Sequence, residues 1–172
     1  MPTLTKGDLS LDIGIFKLGA ELSDEDRQCA WELYTEIATR VAVVGKRADP
    51  NATDFSGELY LDSLDSLYNF FRECRSIMRK FPVGRIKDHK QLHLGIFINR
   101  ILMKVLRPFL EKWNGDYRHW FNSKNKPEFN PYEVQEAYPK KKEFLEAWSN
   151  LRGIMREAEA ALKKQYELVP LD

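Results

Sequence analysis

KDHKQLHLGIFINRILMKVLRPFLEKW, residues 87–113, decides the fold. Turned at 100° per residue, as an α-helix turns, it places apolar side chains round most of its circumference. These are Leu92, Leu94, Ile96, Phe97, Ile98, Ile101, Leu102, Met103, Val105, Leu106, Phe109, Leu110 and Trp113. His89, His93, Arg100, Lys104, Arg107 and Glu111 gather in one narrow polar stripe. A helix apolar on so many sides needs other elements around it, so the stretch reads as the central rod of a helical domain. Pro108 lacks a backbone donor and crowds the carbonyl of Lys104, which predicts a kink near 104–108. Asn99 falls among apolar neighbours and requires hydrogen-bond partners. Gly115 is expected to close the rod, and Asp116 to cap a short turn carrying Tyr117, Trp120 and Phe121.

Before the rod, Leu61, Leu64, Leu67, Tyr68, Phe71, Cys74 and Met78 mark the apolar face of a helix over about 58–80, ended by Pro82. Arg72, Arg75 and Arg79 run beside that face. Arg75 falls inside its arc and there needs an anionic partner, because an unpaired buried charge is costly. Further back, Ser23 is a suitable N-cap with Asp24, Glu25 and Asp26 in the first turn. Ala30, Leu33, Tyr34, Ile37, Val41 and Val44 then predict one helix over about 24–44, stopped by Gly45. KRADPNATDFSG (46–57) between these helices reads as an exposed connection, longer than a bundle needs. Residues 8–18 alternate like a strand; within the arm of residues 1–22 they are expected to lie along the helices or to pair across a dimer.

After the rod, NSKNKPEFNP (122–131) is a second connection, and Asn130, Pro131 and Glu133 read as a helix start with a capping box. The last helix, about 139–166, carries Phe144, Leu145, Trp148, Leu151, Met155, Ala158, Leu162 and Tyr166 at heptad-like spacing. The expectation is an all-α, four-helix-bundle-like domain over 23–172, with a buried central helix and one or two short extra helices.

Charge is laid out in blocks. Residues 1–71 hold 6 Lys/Arg against 13 Asp/Glu, residues 72–118 hold 12 against 4, and residues 119–172 hold 9 of each. Either the acidic first helix faces the basic middle inside one fold, or the middle forms an exposed field that attracts an anion. Cys29 and Cys74 show no pairing motif and suit a reducing compartment. Asp12 and Lys17 interrupt any leader-like apolar run, and no stretch approaches a membrane span. A cytoplasmic protein without membrane contact is expected.

Chemistry is sparsely signalled. His89 and His93 share a helical face, but HExxH is absent, and Asp116 with His119 supplies one Glu-x-x-His-like copy where di-iron bundles need two. No metal, cofactor or catalytic residue is therefore expected. Arg72, Arg75 and Arg79 on one helix, with Arg100, Lys104 and Arg107 on the next and Arg118 beyond, could converge on a phosphate, nucleotide or nucleic acid. Trp113, Tyr117, Trp120 and Phe121 are residue types that anchor interfaces. A rod so apolar also invites a second copy over whatever four helices leave bare.

The segment LRPFLEKWNGDYRHWF (106–121) resembles helical bacterial proteins of unknown activity, some encoded beside phage-defence genes. That resemblance implies an accessory role in a defence system and transfers no site residue. The leading expectation is a non-enzymatic interaction or assembly module that forms a homo-oligomer or binds a protein partner. The alternative is an anion-, nucleotide- or nucleic-acid-binding protein that uses the basic stripes.

Overall fold

The computed structural model describes residues 24–80 and 94–171, and among these every regular element is helical. The strand-like arm, the Ser23 cap, Pro82, and the His89 and His93 pair lie outside the described residues.

The first helix is shorter than expected. α1 (Asp24–Ala38) stops before Thr39, whose hydroxyl donates to the Thr35 carbonyl at 2.7 Å. Such back-bonding competes with the helical ladder. Arg40 is extended, at φ −106° and ψ 110°, and α2 (Val41–Val44) restarts behind it. Gly45, at φ +71°, ends α2 with its N–H on the Val41 carbonyl. The break turns Ala42, Val43 and Val44 into the core together.

α3 (Tyr60–Lys80) buries Tyr60, Leu64, Leu67, Phe70, Cys74 and Ile77. Its buried arc is rotated from the one expected, so Tyr68 is half-exposed and Arg75 points outward. Arg75 therefore needs no internal anion. Cys74 next to it takes the inward position 100° earlier.

The rod continues well past Gly115. α4 (Leu94–Arg100) leads through a π-helical segment (Ile101–Leu106) into α5 (Arg107–Lys124) without a break in the helical run. Residues 97–110, FINRILMKVLRPFL, repeat two apolar and two outward residues every four positions, and the apolar pairs are buried at 97/98, 101/102, 105/106 and 109/110. At 3.6 residues per turn a four-residue repeat drifts by about 40° each time, or about 120° over three repeats. A π segment holds roughly one more residue per turn, which brings the repeat back onto one face. Its i→i+5 pattern shows where the Arg107 N–H donates to the Leu102 carbonyl. The wider turn also lies against Pro108, where an α-turn would crowd the proline ring. Asn99 is consequently exposed rather than lodged among apolar groups, and Met103 is 45% exposed.

α6 (Pro131–Glu136) starts as expected on Asn130, although the Asn130 side chain accepts from the Tyr132 N–H at 3.0 Å. α7 (Lys141–Tyr166) buries Phe144, Trp148, Leu151, Met155, Ala158, Leu162 and Tyr166. α1 packs on α3 and α7, α2 on α3 and α7, and the rod on α3 and α7. Arg118, late in the rod, pairs with Asp65, early in α3, so those two helices run antiparallel. Among the described residues no helix is long and apolar enough to cross a membrane.

Candidate interaction surface

The densest polar construction in the described residues joins α7 to the connection between α2 and α3. Two successive turns of α7 supply Arg152 and Arg156. Arg152 has no exposed surface, yet its Nη2 lies 2.8 and 2.7 Å from the two carboxylate oxygens of Glu58. Its guanidinium stacks 4.0 Å from the Phe55 ring centre, and Trp148 lies at 5.5 Å. Burial lowers the Arg152 pKa from its usual value, and Glu58 works in the opposite direction.

Arg156 reads backbone instead. Its Nε donates to the Val44 carbonyl at 2.5 Å, its Nη2 to Lys46 at 2.7 Å, and its Nη1 to Asp49 and Pro50 at 2.6 and 3.1 Å. A planar fork of donors suits several carbonyls at once in a way a lysine does not. Gly45 permits the approach: a Cβ there would sit 3.3 Å from Arg152 Cδ and 3.3 Å from Arg156 Nη2. Trp148 Nε1 donates to the Ala42 carbonyl at 2.8 Å, and Arg47 grips Glu159 with two contacts at 2.7 Å.

The connection also folds on itself. Asp49 accepts from the N–H groups of Asn51, Thr53 and Asp54 at 3.0, 2.5 and 2.7 Å. The Asp54 N–H leads the causes that hold the Asp49 carboxyl below its ordinary range. Asp54 is held lower still by the Ser56 hydroxyl and Lys46, whose Nζ is 2.9 Å away. The connection expected at 46–57 is thus tied by hydrogen bonds both within itself and to α7. Beyond it, Gln135 of α6 accepts from the Tyr60 N–H and donates to the Glu58 carbonyl, both at 2.9 Å. Open grooves of about 580 and 440 Å³ lie on either side of Gly57 and Tyr132, the first bordered by Val41, Asp62 and Ser66. Tyr132 and Val41 are 48% and 46% exposed.

The residues expected to act fall into three groups. Trp113, Tyr117 and Phe121 are buried among this chain's own rings, with Phe144 5.3 Å from both Trp113 and Tyr117, and Trp120 is half-buried against Tyr138. As core residues Trp113, Tyr117 and Phe121 offer a partner no surface, which corrects their reading as interface anchors. Arg72, Arg75 and Arg79 are exposed along α3, and on the rod Lys104 is exposed while Arg100 is half-buried. Arg107 pairs with Glu111 at 2.7 Å and Arg118 with Asp65. The π segment skews the rod's cations, so Arg107 does not stack under Arg100 as a straight α-helix would place it. Among the described residues the acidic first helix meets the basic stretch where Glu32 pairs with Lys80 at 2.9 Å. Among the described residues no three His, Cys, Asp or Glu side chains cluster as a metal site would need.

Arg152, Arg156 and Glu58 were not singled out in the sequence. A signal existed, since Arg152 sits four residues after Trp148 and three before Met155, inside the apolar arc of its own helix. Compared with known proteins, the chain matches no family model, no curated protein and no solved structure.

Proposed function

We propose that the chain is a non-enzymatic assembly module that associates with a second copy of itself on a four-helix-bundle-like scaffold. The observation that carries this reading is the pair of α7 arginines holding residues 42–58 in one shape. The connection leads straight into α3, so holding it fixes the start of that helix and leaves less of the chain to be ordered when a partner meets it. The scaffold so stiffened presents Tyr68, Phe129 and Tyr132 near half exposure, the aromatic kind of side chain that interfaces bury. Sedimentation of the intact chain across micromolar concentrations tests the reading. A mass of two copies or more is expected, and a strict monomer throughout would contradict it.

A second reading rests on Arg72, Arg75 and Arg79, which project into solvent from successive turns of α3. Such a row can follow a phosphate backbone. Labelled DNA and RNA titrated at several salt concentrations test it, and the absence of salt-sensitive binding at low ionic strength would remove it.

A further inference from the structure

We infer that the second copy docks antiparallel along the outward ribbon of α3, with the twofold axis passing near Phe70. The inference rests on the assembly reading above and gives it a surface. Leu61, Asp65, Tyr68, Arg72, Arg75 and Arg79 follow one another at intervals of four and three, the spacing that keeps side chains on a single seam of a helix. Leu61 is half-buried, Tyr68 is 50% exposed, and the other four are exposed.

The order of charge along this seam is what selects the partner. Asp65 lies on the N-terminal side of Phe70, and the three arginines lie on the C-terminal side. Laid antiparallel on itself about residue 70, the helix sets Asp65 opposite Arg75, Tyr68 opposite Arg72 and Leu61 opposite Arg79. The first is a carboxylate–guanidinium pair, and the second puts a guanidinium on a phenol ring. The third lays an arginine's methylene stem on an apolar side chain. Twofold symmetry makes each contact twice. A parallel arrangement would instead stack arginine on arginine. Asp65 already accepts from Arg118, but its side chain is 55% exposed and a carboxylate has further lone pairs to offer. A polyanion on the same ribbon would be repelled by Asp65, whereas a second copy uses it.

Charge reversal with mixing tests this on the intact chain, by light scattering at low salt. Asp65→Arg sets arginine against Arg75, and Arg75→Asp sets aspartate against Asp65. Each is expected to weaken the dimer roughly tenfold or more, since like charges across an interface are strongly disfavoured. Tyr68→Ser, which changes no charge, is expected to weaken it as well. Mixed in equal amounts, the two charge variants place opposite charges at every crossing and are expected to form a heterodimer. Circular dichroism should show both folded, because the exposed Asp65–Arg118 pair contributes little. A dimeric wild type whose variants remain equally dimeric, or variants that fail to pair on mixing, would overturn the α3 seam and leave the assembly reading standing. A wild type that never dimerises would overturn both.

Discussion

Arg152 and Glu58 form an ion pair at 2.7 Å in which the guanidinium is wholly shielded and the carboxylate side chain is 9% exposed. Neither partner can shed its charge cheaply into water, so each depends on the other. Removing one partner of such a pair costs about 3–5 kcal/mol, while replacing both with apolar groups costs far less. Arg152→Met alone is therefore expected to lose roughly 3 kcal/mol or more of stability in urea unfolding. Arg152→Met with Glu58→Met should lose less than the two single changes added together, and additive losses would show that the pair is not coupled.

Arg156 should act locally. Arg156→Ala strips the donors from four carbonyls, so amide exchange at Asn51, Thr53 and Asp54 is expected to accelerate while α3 keeps its protection. Arg156→Lys should rescue only part of this, because a point charge cannot span the same acceptors. Unchanged exchange in Arg156→Ala would mean that the connection holds itself without α7.

Acid should loosen the same connection. Asp49 and Asp54 both have folded pKa values below their ordinary one. A carboxyl depressed on folding contributes stability that is present above its unfolded value, about 3.9, and is lost as pH falls through the folded value. Titration of the two carboxyls by NMR should give midpoints below about 3.9, with the amides of Asn51 and Thr53 shifting in step. Midpoints at or above that value would contradict the hydrogen bonding described.

Pro108 offers a test of the π segment. A proline inside a regular helix costs about 3 kcal/mol, so its removal should return a gain of that size if the proline is strained. If the four-residue repeat of 97–110 sets the wide turns and Pro108 merely fits them, Pro108→Ala changes stability by less than about 1 kcal/mol. Thermal or urea unfolding decides between the two.

Much of the fold was legible in apolar spacing. α3, the rod and α7 lie where periods of three and four put them, and Gly45 and Asn130 cap where their chemistry directs. The rod's exposed ribbon is hidden in the sequence because a 3.6-residue wheel spreads a strict four-residue repeat by about 120° over 97–110. Counted at four, the repeat separates its two faces. Gly115 was given too much weight: one glycine costs a helix about 1 kcal/mol, and the aromatic cluster on Tyr117 and Phe121 outweighs that. The candidate site was less legible. An arginine falls inside an apolar arc at both Arg75 and Arg152; rotation of α3 exposes the first, and the partner of the second, Glu58, lies far away in the sequence. Nor does a sequence show that the α3 seam faces outward, because that depends on which side the rod occupies.

Paired spin labels measure the assembly most directly. Labels are placed singly on α3 at Asn69→Cys and at Asp62→Cys, both exposed and beside the seam, while the native Cys29 and Cys74 are buried. For copies crossing antiparallel at residue 70, the two positions 69 lie nearly side by side. The two positions 62 are separated along the seam by 16 residues' rise, about 24 Å. A short distance at 69 with a long one at 62 is the expected result. Equal distances at the two sites, or no coupling between labels at either, would contradict it.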